Sequence, residues 1–341
     1  MTTFVGVADM VTWIRALGPQ RIIAEMSRVI EEDFARWPSF DLVSRVASHT
    51  PIGVIELMPT SDGRLYAFKY VNGHPSNPAR GFQTVTAFGA LSDVDNGYPI
   101  LLAEMTLLTA LRTAATSAMA SRVLARPDSR TMGMIGAGNQ AEFQALGHRA
   151  ALGIERITLY DIDAAASRVT RDNLTALGFE VRIAADPRDA VQGVDIITTC
   201  TADKAYATVL FDRWVAPGAH INAIGGDCPG KTELEASILD RGPVFVEHTQ
   251  QTRIEGEIQQ KGPDFPVTEL WQVVAGTARG RTSPTDVTIF DSVGFAIEDF
   301  SALRYLHAST RETGHYSEID LVAEPEDPKN LFEMVGAPVP A

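Results

Sequence analysis

The chain has 341 residues and a formal charge of −14, from 29 Lys and Arg against 43 Asp and Glu. At ~150 residues per domain this length predicts about two domains. The 45% hydrophobic and 21% charged residues are typical of a globular protein. The acidic balance argues against non-specific binding to nucleic acid or to anionic membranes. Two cysteines and an N-terminus without a signal-peptide pattern lead us to expect a cytoplasmic protein.

The first third of the chain predicts an α+β unit. Apolar residues recur at helical spacing over 22–34, which indicates an amphipathic helix. Short β-prone runs separated by turns then predict strands at 42–48, 54–58, 65–71, 84–91 and 98–103. Consecutive strands with short turns favour an antiparallel sheet. The apolar stretch 101–125 includes three charged residues, so it predicts a buried helix and no membrane span. We expect the acidic tail after residue 318 to pack back on this unit.

From residue 131 onward strands alternate with helices. Strands are predicted at 131–135, 156–160, 180–183, 195–199, 220–224, 244–246 and 287–290. Helices are predicted at 139–151, 164–177 and 297–308. This alternation predicts a doubly wound parallel sheet of the Rossmann type, and hence an α/β protein with a second, α+β unit. We place one domain at 1–118 together with 310–341, and the other at 119–309.

The segment 136–141, Gly-Ala-Gly-Asn-Gln-Ala, has the form G-x-G-x-x-A between a predicted strand and a predicted helix. Gly136 allows a tight turn, and Gly138 lets the backbone approach a pyrophosphate at the helix N-terminus. Asp161 ends the next strand, where an acidic residue binds the adenosine ribose and favours NAD over NADP. The alternatives are a plain tight turn, and helix capping by Asp161 or Asp163, which suits Asp163 better. We therefore expect a bound dinucleotide.

Four charged residues lie in otherwise apolar segments of the first unit. Arg45, Glu56 and Lys69 each share a predicted strand face with apolar residues, and Arg112 lies in an Ala-Leu-rich helix. Buried charges are costly unless they are paired, so structural ion pairs are one interpretation. The other is a polar pocket with excess positive charge, in which the three cations bind a carboxylate and Glu56 binds an ammonium. That pocket would suit an amino acid.

Asp227 follows the predicted strand 220–224 in the segment Gly-Gly-Asp-Cys-Pro-Gly-Lys. Ligands of doubly wound sheets bind at the carboxyl ends of the strands, so Asp227 is a candidate for acid–base work. The alternative is a glycine-rich turn in which Asp227 bonds its own backbone. The seven histidines show no metal-ligand spacing, so we expect no metal site, and Cys228 receives no role.

From about residue 40 to 322 the sequence resembles the ornithine cyclodeaminase/μ-crystallin family. The stretches that carry the resemblance are 44–49, 53–59, 66–75, 111–115, the glycine loop, 201–207, 225–234, 252–260 and 290–295. Glu56 and the segment around Asp227 favour the cyclodeaminase branch over the crystallin branch.

The resemblance implies a lyase that converts L-ornithine to L-proline and ammonia, and that works as a homodimer joined through its antiparallel sheets. NAD would accept the Cα hydride, Asp227 would help the δ-amine attack, and the same NADH would return its hydride to the cyclic imine. The domain of residues 1–118 and 310–341 would bind substrate and dimerise, and 119–309 would bind NAD.

The resemblance also implies the site residues. The catalytic residues would be Asp227, Glu56 and Lys69. The substrate-binding residues would be Arg45, Glu56, Lys69, Arg112, Asp227 and Val293. The cofactor-binding residues would be Thr84, Thr113, Gly136, Ala137, Gly138, Asn139, Gln140, Asp161, Thr201, Ala202, Asn222, Ala223, Lys231 and Ser292.

Three other functions stay open on the same scaffold. Lysine cyclodeaminase would need a pocket longer by one methylene, which changes discrimination by only ~1–3 kcal/mol. A ketimine reductase or alanine dehydrogenase would consume or produce NAD(P)H. A crystallin-like protein would hold the dinucleotide without catalysis, but such a binder has no need of Glu56, Lys69 and Asp227 beside the nicotinamide.

Overall fold

The computed structural model describes residues 1–202 and 206–336. The strands are β1 (Thr2–Val5), β2 (Val46–Thr50), β3 (Gly53–Ser61), β4 (Leu65–Gly73), β5 (Val85–Asp93), β6 (Pro99–Glu104), β7 (Thr131–Ile135), β8 (Arg156–Tyr160), β9 (Glu180–Ile183), β10 (Ile196–Thr199), β11 (Tyr206–Leu210), β12 (His220–Ala223), β13 (Thr232–Leu234), β14 (Val244–Val246), β15 (Thr268–Glu269), β16 (Thr288–Asp291) and β17 (Ser317–Ile319).

The α-helices are α1 (Val7–Leu17), α2 (Pro19–Ala35), α3 (Thr106–Leu124), α4 (Ala141–Leu152), α5 (Ala164–Ala176), α6 (Pro187–Val191), α7 (Thr249–Glu255), α8 (Leu270–Val274) and α9 (Ala296–Thr313). Short 3₁₀ helices lie at Trp37–Ser39, Pro78–Arg80, Asp212–Trp214, Ala236–Asp240, Glu257–Gln260 and Leu331–Met334. Residues 203–205 of the family-like stretch 201–207 lie outside the described residues. In the part of the chain that is described, no helix has the length and apolarity that crossing a membrane requires.

The first sheet has the strand order β17-β1-β6-β5-β4-β3-β2, and all its neighbours are antiparallel except β1 and β6. The predicted antiparallel sheet is confirmed, with two strands that the sequence did not predict. Strand β1 pairs with β6, and β17 returns to β1 as far as Ile319, whereas packing of the tail beyond that residue stays a prediction. The predicted strand at 42–48 is wrong at its start, because β2 begins at Val46 and leaves Arg45 outside it.

The two faces of the first sheet differ in what covers them. Along β3, Val54, Glu56 and Met58 are buried, while Ile55 and Leu57 are 40% and 45% exposed. Helix α9 packs on the buried face across β3, β4 and β5, and α2 packs against α9. The alternation expected for a half-covered sheet is therefore present, but the outer face of this sheet is apolar as well.

The second sheet is wholly parallel, with the order β15-β14-β16-β12-β10-β7-β8-β9. The strand order reverses beside β7, which is the switch point where doubly wound sheets bind ligands. Helix α3 packs against β5 of the first sheet and β12 of the second, and so links the two sheets. The α/β architecture with a Rossmann-type sheet is confirmed, whereas the domain limits at 118 and 310 stay a prediction.

Candidate functional site

The glycine loop joins β7 to α4 and has the geometry that its sequence predicts. Gly136 has a φ of +109°, and a Cβ there would lie 2.6 Å from the backbone oxygen of Cys200. By contrast, a Cβ on Gly138 would meet no described atom within 4 Å, so the space beside this residue is open. Helix α4 begins at the buried Ala141, and its first amides face the loop. The loop therefore fits a pyrophosphate.

Asp161 follows β8 directly and is fixed against the loop. Its Oδ2 accepts a hydrogen bond from the Ala137 amide at 2.7 Å, and its Oδ1 accepts one from the Asp163 amide at 2.8 Å. Helix capping belongs to Asp163, whose carboxylate accepts from the Ala165 amide at 2.8 Å. Asp161 is thus free of the capping role, and its position fits a ribose whose 2′-hydroxyl is unmodified.

The two glycines of the loop provide a matched pair of substitutions. Gly136→Ala is expected to destabilise the fold by ~1–3 kcal/mol, because an L-residue is strained at this φ and its methyl would collide with Cys200. Gly138→Ala should keep wild-type stability, yet both variants should bind NAD more weakly. Urea unfolding and titration with NAD check this. Unchanged unfolding of Gly136→Ala would contradict the loop geometry.

Most of the other predicted cofactor residues lie at one edge of the parallel sheet. They follow or end the strands β7, β10, β12 and β16, whose carboxyl ends meet there. The members from this edge are Asn139, Gln140, Thr201, Ala202, Ala223 and Ser292. Thr84 and Thr113 come instead from the segment before β5 and from α3, and both are half-buried. The sequence therefore predicted a set that the topology largely brings to one edge.

Asn222 differs from the rest of this set. Its side chain is fully buried, and its Nδ2 donates to Ser121 Oγ at 3.0 Å and lies 3.1 Å from His148 Nε2. Burial lowers the pKa of His148 to about 4, so its ring is neutral and can accept this bond. The amide of Asn222 thus ties β12 to helices α3 and α4.

Two other predicted substrate residues, Glu56 and Val293, contact Arg45. Its Nη1 donates to Glu56 Oε2 at 3.2 Å, and its Nη2 donates to the carbonyl oxygens of Val293 and Gly294 at 2.7 Å each. The backbone amide of Arg45 also donates to Gln251 Oε1 at 3.3 Å, so this residue is held by α7 and not by strand pairing. Arg45 therefore reaches the pocket from the segment before β2, whereas the sequence analysis placed it within a strand.

Lys69 and Arg112 form a second group of ion pairs, on buried positions of β4 and α3. Lys69 Nζ lies 2.8 Å from the Asp299 carboxylate. Arg112 Nη1 donates to Glu298 at 2.6 Å, and its Nε lies 3.0 Å from Asp299. Burial, and after it the charge of Arg112, lowers the pKa of Lys69 to about 8, while Asp299 acts in the opposite direction. Both cations are therefore fixed before any ligand binds.

The expectation of excess positive charge in this pocket is wrong. Glu298 and Asp299 at the start of α9 neutralise Lys69 and Arg112, and Glu255 at the end of α7 lies 3.2 Å from Arg45 Nε. Sequence reasoning missed all three acids. Glu298 and Asp299 offered a usable signal, since two adjacent acids interrupt the apolar pattern of a predicted helix. The pocket is a network of paired charges.

Asp227 lies in the loop between β12 and β13, where 55% of its side chain is exposed. Lys231 Nζ contacts Asp227 Oδ1 at 3.2 Å and the Thr201 carbonyl oxygen at 3.1 Å. Burial lowers the pKa of the Arg45 guanidinium, but neighbouring carboxylates raise this pKa by more, so that it lies above its ordinary value. In decreasing order of effect these are Glu255, Glu56, Asp227 and Asp299, so the charge of Asp227 acts on Arg45.

The glycine loop and Asp161 lie on the switch point of a parallel sheet, and paired charges meet near the same edge. This combination defines a Rossmann-fold protein of the dinucleotide-dependent class. Residues 7–314 match the sequence model of the ornithine cyclodeaminase/mu-crystallin family. The chain belongs to this family, and the resemblance found in the sequence is confirmed.

Known relatives agree with this assignment. An ornithine cyclodeaminase from Agrobacterium fabrum is 57% identical over 97% of this chain and 94% of its own length. A structure of lysine cyclodeaminase, solved for recognition of L-lysine, L-ornithine and L-2,4-diaminobutyric acid, has a TM-score of 0.89, 32% identity and coverage of 96% and 97%. An archaeal alanine dehydrogenase dimer with bound NAD has a TM-score of 0.86, 28% identity and coverage of 94% and 99%.

Proposed function

We propose that this chain cyclises L-ornithine to L-proline with release of ammonia, and that it uses NAD as a recycled cofactor. The observation that carries the proposal is the pairing of a dinucleotide-type loop with a buried set of fixed cations and acids. High identity over nearly the full length to a relative named ornithine cyclodeaminase supports it.

The cations of the pocket would bind the substrate α-carboxylate. Lys69 and Arg112 are held by acids on α9, so each keeps its position, and Arg112, whose Nη1 and Nε face those acids, would offer its Nη2 to the carboxylate. Arg45 is the third cation, and Glu56 beside it would accept hydrogen bonds from the α-amine. Because these groups are buried, water would be excluded from Cα.

Bound NAD would supply the hydride chemistry at Cα. The residues that would hold it are the glycine loop, Asp161 and the cofactor set from the carboxyl edge of the parallel sheet. Asp227 would accept a proton from the δ-ammonium, which frees the nitrogen lone pair to attack the oxidised Cα. The bond from Cα to the α-nitrogen then breaks, and that nitrogen leaves as ammonia. Its exposure beside the buried pocket gives this proton a route to solvent. The chain itself supplies position and proton transfer.

The experiment that tests this function is a product assay on the purified protein with NAD. L-Ornithine should give proline and ammonia in equal amounts without accumulation of NADH. L-Lysine is assayed in parallel, because pipecolate as the preferred product would indicate lysine cyclodeaminase. Steady production of NADH would contradict the proposal in favour of an amino-acid dehydrogenase. Binding of NAD with no turnover of either substrate would favour the crystallin-like alternative.

We also propose that two copies of the chain associate through the outer face of the first sheet. Exposed apolar residues are concentrated there, including Ile55, Leu57, Tyr66 and Phe88, and Tyr70 stacks on Phe88 at a centroid distance of 4.9 Å. Such a face is unusual on a monomer. The alanine dehydrogenase structure, which is a dimer, supports a dimeric state. The cytoplasmic location stays a prediction, which cell fractionation would test.

Leu57→Glu should convert the dimer into a monomer, because it introduces a charge into this apolar face. Val169→Glu on α5 is the control, since Val169 is 59% exposed on the other sheet's covering helix and should leave the dimer intact. Sedimentation velocity measures the mass of each variant. A dimer that persists in Leu57→Glu would exclude this face as the interface.

A further inference from the structure

Glu255 is a buried acid that the proposed reaction has not used. It is the last residue of α7, and only 6% of its side chain is exposed. Its Oε2 lies 3.2 Å from Arg45 Nε, but within the described residues this oxygen accepts no well-aligned hydrogen bond. An almost fully buried carboxylate oxygen without a hydrogen bond is costly, so a donor from outside the chain is a natural partner for it.

The charges around Arg45 leave one acid in excess. The Arg45 guanidinium faces two buried carboxylates, because Glu56 lies on its Nη1 and Glu255 on its Nε. Its Nη2 is taken by the carbonyl oxygens of Val293 and Gly294. The two other cations of the pocket are engaged elsewhere, with acids of α9. One positive group is therefore missing at this end of the pocket.

The end of the pocket that lacks a positive group lies close to the loop that carries Asp227. Burial raises the pKa of Glu255 to about 7, and the negative charges of Glu56 and Asp227 act in the same direction, against Arg45. The segment that follows Glu255 also holds the Asp227 loop. Gln259 Oε1 accepts from the Gly230 amide at 2.7 Å, and its Nε2 donates to the Lys231 carbonyl oxygen at 3.1 Å. Glu255 and Asp227 thus belong to one connected unit.

We propose that Glu255 is a specificity-determining residue that binds the side-chain ammonium of the substrate together with Asp227. The inference rests on the proposed function and extends it, since Glu56 has been given the α-amine. A diamino acid supplies a second ammonium, which would fill the gap beside Glu255 and balance its charge. An amino acid of the same length without that nitrogen would leave the carboxylate uncompensated.

The test compares L-ornithine with L-norvaline, which has the same carbon chain but no side-chain amine. The variant is Glu255→Gln with bound NAD, which keeps the shape of the side chain and removes its charge. Its kcat/KM for L-ornithine should fall by about 10- to 100-fold, the worth of a charged hydrogen bond in a buried site. The Kd for L-norvaline, measured by calorimetry, should change by less than about threefold, because norvaline makes no such bond.

An equal weakening of both ligands would overturn the inference, since it would mean that Glu255 acts only by holding Arg45 for the shared carboxylate. Unchanged kcat/KM for L-ornithine would overturn it as well. Glu255→Asp provides a second variant if the glutamine form does not fold, and it should give an intermediate loss for L-ornithine alone. Glu31→Gln removes a surface acid from an exposed ion pair with Arg122 and serves as the control.

Failure of this inference is separable from failure of the proposed function. If the wild-type protein makes no proline from L-ornithine, the function itself is wrong. If the wild type makes proline and Glu255→Gln treats both ligands alike, only the role of Glu255 is wrong.

Discussion

Asp227→Asn is expected to lose turnover of L-ornithine by about 10²- to 10⁴-fold, the range typical of a positioned acid–base group. Asparagine keeps the size and the hydrogen-bonding shape of the side chain but cannot take a proton from the δ-ammonium. Binding of NAD should stay at the wild-type level, because the glycine loop and Asp161 lie on other strands. Proline formation gives kcat, and fluorescence titration gives the NAD affinity.

Asp240→Asn is a matched control for that variant. Asp240 is 61% exposed and pairs with Lys261 at 2.8 Å, much as Asp227 is 55% exposed and pairs with Lys231 at 3.2 Å. The control should keep wild-type turnover, because Asp240 lies outside the pocket cluster. Wild-type turnover in Asp227→Asn would remove Asp227 from the mechanism, and parallel losses in both variants would indicate a general effect on the fold.

Arg112→Ala is expected to lower the free energy of unfolding by about 3–5 kcal/mol and to raise KM for L-ornithine. The loss of stability follows from the contacts of Arg112 with Glu298 at 2.6 Å and Asp299 at 3.0 Å, since Glu298 would remain buried without its cation. The rise in KM follows from loss of one group of the carboxylate site. Urea unfolding and steady-state kinetics measure the two effects.

The double variant Arg112→Ala with Glu298→Gln separates the two effects. Removing the stranded acid together with its partner should recover part of the stability, since the uncompensated buried charge is gone. The raised KM should remain, because the neutral amide introduced by Glu298→Gln would not restore a cation for the substrate. Full recovery of KM in the double variant would contradict the carboxylate site, and an unchanged unfolding free energy in Arg112→Ala would contradict the buried pair.

Most of the fold could be predicted from local patterns in the sequence. The alternation around Glu56 placed this acid on the buried face of β3, and the spacing from Gly138 to Asp161 placed the dinucleotide loop on the correct strands. These features depend on neighbours within one strand or one βαβ unit. Strand β1 has only the four residues Thr2–Val5 and pairs with distant segments, so its own residues show too little periodicity to predict it.

The pairing of the pocket acids with the cations could not be predicted in the same way. Glu255 meets Arg45, and Asp299 meets Lys69, across more than 200 residues of sequence. An acid at the first turn of a helix, as in α9, is ordinarily exposed to solvent and is stabilised by the positive end of the helix dipole. Only the packing of α9 on the first sheet turns Glu298 and Asp299 into buried partners of the cations. The sequence therefore indicated the cations of the pocket and Glu56, and it missed the acids of α7 and α9 that pair with those cations.

Transfer of the Cα hydrogen tests the central claim most directly. L-Ornithine deuterated at Cα is converted by the protein in ordinary water, in the presence of added unlabelled NADH. If the hydride is taken and returned within one cycle on the same bound cofactor, mass spectrometry should find the deuterium retained at Cα of the proline product. Proline without deuterium, whether it was lost to water or diluted by the added NADH, would contradict the account.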